Sequence, residues 1–144
     1  MSSKISPRLA EIVAALPLEP HLRVLEIGCG PGAAARAVAR RLQTGHILAI
    51  DRSATAIDQL RAGSAAELAS GRLRARPVAV EDFTLEQDDE LFDLVFAIRV
   101  GALDGRNPEA GRAAMLRIAT ATVPSARLFI NGGLPLRELP INRP

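Results

Sequence analysis

Apolar and polar positions alternate between two rhythms along the chain, a helical one and a strand-like one, and the alternation predicts an α/β sheet. Ser6-Pro7 can cap and open a first helix, with Leu9, Ile12, Val13 and Leu16 at helical spacing before Pro17. Val24–Ile27 reads as a buried strand that runs into Gly28-Cys29-Gly30-Pro31-Gly32, after which Ala34, Ala37, Val38 and Leu42 mark a helix face. A second strand is expected over Ile47–Ile50, ending at Asp51. Ser53 then caps a helix with Ile57, Leu60 and Leu68 on its inner side, weakened by Gly63 and closed by Gly71.

The third strand is expected over Val78–Val80, ending at Glu81-Asp82. Pro77 lacks a donor for a sheet ladder and favours a sheet edge. Leu94–Ile98 is continuously apolar, as a parallel strand buried on both faces should be, and is expected at the centre. Asn107-Pro108-Glu109 opens a helix carrying Met115, Ile118, Ala119 and Thr122, and Leu128–Ile130 supplies a fifth strand before Asn131-Gly132-Gly133. These elements predict a doubly wound parallel sheet of Rossmann-like type, order 3-2-1-4-5, over residues 1–133. Residues 134–144 contain Pro135, Pro140 and Pro144 and are expected to form a loose or extended tail.

The length of 144 residues fits one domain. Apolar residues at 48% and charged residues at 24% describe a chain able to bury a core, not a disordered one. No apolar run is long enough to span a bilayer and the first twenty residues lack a signal-peptide arrangement, so a cytoplasmic location is expected. Cys29 is the sole cysteine, which excludes an internal disulfide and a four-cysteine zinc site. His21 and His46 offer little to a metal, and none is expected.

Net charge is only +2, but it is unevenly placed: residues 1–80 sum to +5 and residues 81–144 to −3, with seven acids between Glu81 and Asp93. That acidic stretch reads as mostly solvated loop. With no Trp or Tyr and four Phe, the chain is poorly equipped to stack nucleic-acid bases.

The densest chemical signal is Glu26-Ile27-Gly28-Cys29-Gly30-Pro31-Gly32, with Asp51 at the end of the next strand. Three glycines in five positions let backbone approach a ligand closely, at the carboxyl ends of the strands where such sheets bind. The plain alternative is a tight turn without a ligand. A dinucleotide site is a further reading, because the same residues fit G-x-G-x-x-G/A and Asp51 lies about 20 residues on. Glu26 favours a cationic ligand over a pyrophosphate.

The segment LEIGCGPG resembles the signature of the class I S-adenosylmethionine-dependent methyltransferases, and the order of elements over residues 5–133 is similar to that family. The resemblance implies S-adenosylmethionine as cofactor and methyl transfer to an acceptor. It implies that Ile27, Gly28, Cys29, Gly30 and Gly32 border the methionine part, with Glu26 receiving its ammonium. Asp51 would accept hydrogen bonds from the ribose hydroxyls, and its neighbour Arg52 is expected among the cofactor-binding residues. Asp82 would face the exocyclic amine of adenine with Phe83 packed nearby and Glu81 as a supporting cofactor-binding position, and Arg99 and Val100 would border cofactor and acceptor.

Asp104 is the best-placed candidate for a base, against the plainer reading of a loop or capping acid. Asp51 and Asp82 have plain alternatives too, as a solvated strand end and one more charge of the acidic stretch. His21 and His46 precede strands and should lie at the far end of the sheet. No Asn or Asp followed by Pro-Pro and an aromatic follows the fourth strand, so a small-molecule acceptor is expected rather than a nucleic acid.

Family members usually continue with another helix and an antiparallel pair of strands, and strands 6 and 7 are expected to be missing here. Unless the tail covered it, the edge of the fifth strand would then be exposed, and a homodimer or partner protein is expected to cover it. The same shortage supports a second class of function, a non-catalytic cofactor- or partner-binding domain of the same fold. An NAD(P)-dependent oxidoreductase is the third.

Overall fold

The computed structural model describes residues 5–144, so the first four residues of the expected 1–133 unit lie outside the described residues. Helix α1 (Pro7–Ala15) opens where Ser6 accepts a hydrogen bond from the Leu9 N–H. The chain then runs β1 (Arg23–Ile27), α2 (Ala33–Ala39), β2 (His46–Asp51), α3 (Ala54–Gly63), α4 (Ala65–Ala69) and β3 (Leu73–Pro77). A 3-10 turn at Val80–Asp82 leads to β4 (Phe92–Ala97), α5 (Pro108–Ala121), β5 (Thr122–Asn131) and β6 (Leu136–Leu139). Among the described residues, no helix is long and apolar enough to cross a membrane.

The six strands pair in the order β3-β2-β1-β4-β5-β6. The first five are parallel, as expected for a doubly wound sheet, and β6 is antiparallel to β5. β1 and β4 are the most interior strands, and their apolar runs are buried on both faces. One face carries Val24, Ile47, Ala49 and Phe96 against Val13 of α1, Val38 of α2 and Leu60 of α3. The other carries Leu25, Leu48, Val95 and Leu128 against Val80, Phe83 and, from α5, Ala114 and Ile118. Burial of this apolar surface is the main force holding the two helical layers to the sheet.

Four expectations need correction. The third strand lies at Leu73–Pro77, ending where it was expected to begin. Val78–Val80 is instead an exit segment, in which the Val78 N–H still bonds the Asp51 carbonyl before the chain tightens into the 3-10 turn. Its edge position is as Pro77 requires.

The single helix expected after Ser53 is two, broken at Gly63 and Ser64, where the Ser64 N–H closes a turn on the Arg61 carbonyl. The tail, third, is not loose. Residues 136–139 add the sixth strand, with Arg127 and Glu138 joined across the ladder by two hydrogen bonds of 3.0 and 2.7 Å. β5 is thereby covered from within the chain, which removes the exposed edge that motivated a homodimer or partner. The new edge is short and presents Arg137 and Glu138, features that discourage edge pairing.

The acidic stretch is also less solvated than its composition implies. Arg74 and Arg76, two apart on β3 and so on one face, both reach Asp89, whose side chain is only 1% exposed. Asp89 accepts from Arg74 at 2.8 Å, from Arg76 at 3.1 and 3.3 Å, and from the Glu86 N–H at 2.7 Å. At the other end, Arg23 of β1 bonds both Glu90 and Asp93. The basic excess of the first half is thus spent in part on fastening the acidic loop.

Helix α5 passes into β5 without a connecting loop, which strands its last carbonyls. Arg143 from the tail donates to the Ala119 and Val123 carbonyls at 2.9 and 2.6 Å and to Thr122 Oγ1 at 3.1 Å. Arg143→Ala is therefore expected to lower stability by about 1–2 kcal/mol, read as an earlier urea midpoint with an unchanged slope. An unchanged midpoint would show that this latch contributes nothing.

Candidate active site

β1 ends in the glycine turn, and the turn is tied to β2: the Gly28 and Cys29 N–H groups both donate to the Ile50 carbonyl, at 2.8 and 3.0 Å. Gly28 has φ +71°, and a Cβ there would stand 2.7 Å from Val100 Cγ2. Gly32 caps α2 with φ +96°, and a Cβ there would meet Leu60 Cγ at 2.6 Å. The first glycine thus lets the turn approach the loop after β4. The last lets α2 pack against α3.

Asp51, at the end of β2, fixes the same turn. One carboxylate oxygen accepts the Gly30 N–H at 2.8 Å, and the other accepts the Ser53 N–H at 2.9 Å. Each oxygen keeps a lone pair, so the carboxylate is oriented without being used up.

These strand ends enclose a cavity of about 370 Å³, within the range of small-molecule and cofactor sites. Of the residues expected at the cofactor, Ile27, Gly28, Asp51, Arg52, Glu81, Arg99 and Val100 line it. Gly30 stands behind the wall, joined to it through Asp51, and Gly32 packs on α3. Asp82 is exposed outside the lining, and Phe83 is buried in the core beneath, against Phe92.

The cavity has further walls that no sequence motif signals. Val78, Ala79 and Val80 come from the segment after β3, and Gly101, Ala102, Asn107 and Ala110 from the approach to α5. Asn107 is legible only as a helix cap, and its side chain does accept from the Ala110 N–H.

Beneath the turn lies a buried carboxyl. Glu26 is 3% exposed, and its Oε1 has no hydrogen-bond partner among the described residues. By strand alternation it faces away from the side on which Ile27 meets the cavity. Burial, helped by the nearby Asp51 charge, pushes its pKa up to about 8, so the group is mostly neutral at pH 7. Cys29 is buried beside it, with its thiol pKa also raised by burial, which makes it a poor nucleophile.

Arg36 is a positioning residue that sequence reading missed, since a buried arginine on a small alanine-rich helix has no pattern. It donates to the Pro31 carbonyl and to Ser64 Oγ, both at 3.0 Å, joining the glycine turn to the break between α3 and α4.

On the β4 side, Arg99 adopts φ 58°, an uncommon conformation for a side-chain-bearing residue that costs about 1 kcal/mol. Its N–H is held by Asn131 Oδ1 at 2.8 Å and its carbonyl accepts from Arg106. Asp104 lies outside the cavity wall. Arg106 bonds it at 2.7 Å and holds its pKa below the usual carboxylate range, which weakens it as a base. His46 opens β2, at the end of the sheet away from the cavity, with its pKa lowered chiefly by burial.

A parallel α/β sheet with its glycine turn, strand-end carboxylate and cavity at the carboxyl ends of the strands defines a nucleotide-type cofactor domain. The methyltransferase-domain family matches residues 24–124, and the chain belongs to that family, whose members use S-adenosylmethionine. Solved structures share the fold. An S-adenosylmethionine-dependent methyltransferase from Thiobacillus denitrificans in complex with S-adenosyl-L-homocysteine is 21% identical with a TM-score of 0.66, over 90% of this chain and 50% of its own. A TehB-like methyltransferase from Corynebacterium glutamicum is 20% identical with a TM-score of 0.62, over 92% and 66%. The mitomycin 7-O-methyltransferase MmcR is 19% identical with a TM-score of 0.70, over 85% and 34%. This chain thus spans less than two thirds of each of these proteins. No curated protein matches the sequence.

Proposed function

We propose that the domain binds S-adenosylmethionine in the strand-end cavity and transfers its methyl group to a small-molecule acceptor. The observation that carries this reading is the Asp51 carboxylate, oriented by two backbone N–H groups and lining the cavity beside a glycine turn. A carboxylate with free lone pairs suits a ribose diol. Glu26, buried beneath the turn with Oε1 unpartnered among the described residues, faces away from the cavity and would meet a bound cation through its field, which favours release of the proton. The turn, the carboxylate and the buried acid fit the cofactor.

In this reading Gly28 and Ile27 border the methionine part, Asp51 receives the ribose hydroxyls, and Val78–Glu81 with Arg52 flank the base. Val100 and Ala102 form the apolar wall towards α5. When bound, the cofactor supplies a methyl carbon on a sulfonium, already a good leaving group. The chain's contribution is then mainly to hold two reactants in line. Among the described residues the lining holds no His, Lys or Cys, which favours an acceptor atom that attacks without a strong base from the protein.

Release of S-adenosylhomocysteine in the presence of an acceptor library tests the reading, with each hit repeated in the Gly28→Val variant. Turnover in the wild type and none in the variant is expected. Cofactor binding with no turnover on any acceptor or with any partner would favour the non-catalytic domain instead.

Gly28→Val itself is expected to abolish measurable S-adenosylmethionine binding, at least a 100-fold loss by calorimetry. The side chain strains a positive-φ position and overlaps Val100, which lines the cavity. Binding within tenfold of wild type would show that the turn does not touch the ligand.

A further inference from the structure

Resting on the methyltransferase reading, we propose that Arg99 recognises a carboxylate on the methyl acceptor, so that the substrate is a small carboxylic acid.

The cavity has two chemically different ends. Asp51 and Arg52 stand at β2, and Arg99 at β4, with β1 between them. Two strand spacings, roughly 9–10 Å, therefore separate the strands that carry them. The acidic groups of the wall, Asp51 and Glu81, come from β2 and the 3-10 turn. On the β4–α5 side the lining is Arg99, Val100, Gly101, Ala102, Asn107 and Ala110, in which Arg99 carries the only charge among the described residues.

That charge is uncompensated. The loop's other two charges, Asp104 and Arg106, neutralise one another at 2.7 Å. Glu109, in the first turn of α5, is exposed and does not line the cavity. Among the described residues the Arg99 guanidinium has no hydrogen-bond or ion-pair partner; only its backbone is held, by Asn131 and Arg106. A glycine would adopt φ 58° without cost, yet the position carries a long cationic side chain on an exposed residue that lines the cavity. One planar guanidinium holds one carboxylate by two parallel hydrogen bonds and balances its charge, whereas a doubly charged phosphate would leave a negative charge unmet in a cavity that already carries Asp51 and Glu81.

The test uses protein saturated with S-adenosylhomocysteine and titrated with 3-hydroxybenzoate and hexanoate, with their primary amides, and with phenyl phosphate. Cofactor affinity is measured first and separately in every variant. The wild type is expected to bind each carboxylate at least tenfold more tightly than its amide. The preference should fall below about twofold in Arg99→Gly, which suits the positive φ and should fold, and persist in part in Arg99→Lys.

Equal binding of acids and amides, or a preference that survives in Arg99→Gly, would overturn the proposal. Tenfold tighter binding of phenyl phosphate would overturn the choice of carboxylate. Failure of S-adenosylhomocysteine to bind would remove the underlying methyltransferase reading, whereas its binding without an acid preference sinks only the role of Arg99.

Discussion

Replacing Asp51 by alanine should weaken S-adenosylmethionine binding by about 100-fold, or about 2.7 kcal/mol at 25 °C, with little change in the fold. Two losses combine. The cavity loses the carboxylate proposed to receive the ribose hydroxyls, and charge-assisted bonds of that kind contribute about 1.5–3 kcal/mol. The Gly30 and Ser53 N–H groups also lose their shared acceptor, so the glycine turn is no longer tied through a side chain to the end of β2. Asp51→Asn keeps an acceptor for one of those N–H groups and should fall between the two, near tenfold. Calorimetry on the three proteins checks the ranking; equal affinity in all three would place the ligand elsewhere.

The largest stability effect is expected at Asp89, far from the cavity. Its carboxylate, 1% exposed, takes hydrogen bonds from Arg74, Arg76 and the Glu86 N–H. The arginines and that N–H outweigh burial and hold its pKa down at about 2. A depressed acid stabilises the fold above its unfolded pKa near 3.8 and loses that contribution as pH falls towards 2. The difference corresponds to about 2 kcal/mol. Asp89→Asn should therefore lower the midpoint of thermal unfolding by about 6–8 °C at pH 7. The gap between wild type and variant should narrow below pH 4 and close near pH 2. A gap that is the same at pH 7 and pH 2.5 would show that shape, not charge, holds the loop.

Much of the fold is legible because local and global signals agree. The apolar runs of β1 and β4 can only be interior strands, Ser6 and Asn107 are caps that also act as caps, and Pro77 belongs at an edge. β3 is misplaced because its residues, Leu73-Arg74-Ala75-Arg76-Pro77, look like a polar loop until Asp89 is seen to cover the arginines. The attractive run Val78–Val80 is apolar for another reason, since it lines the cavity and reaches the core. β6 is hidden by prolines at 135 and 140, which sit outside its four residues and so cost no ladder bond.

The site divides in the same way. A glycine turn and a strand-end acid are recognisable from spacing, because few other structures need them together. The walls supplied by Ala79, Gly101, Ala102 and Ala110 are ordinary small residues, whose only qualification is where the fold puts them. Arg36 is invisible for a related reason: two of its partners are a backbone carbonyl and a serine 28 positions away.

Titration calorimetry with S-adenosylmethionine, S-adenosylhomocysteine and NAD, each in turn, bears most directly on what the cavity is for. One molecule of either sulfur nucleoside should bind per chain, with no heat from NAD and none from any ligand in the Gly28→Val variant. Saturable binding of NAD with neither sulfur nucleoside bound would contradict the account.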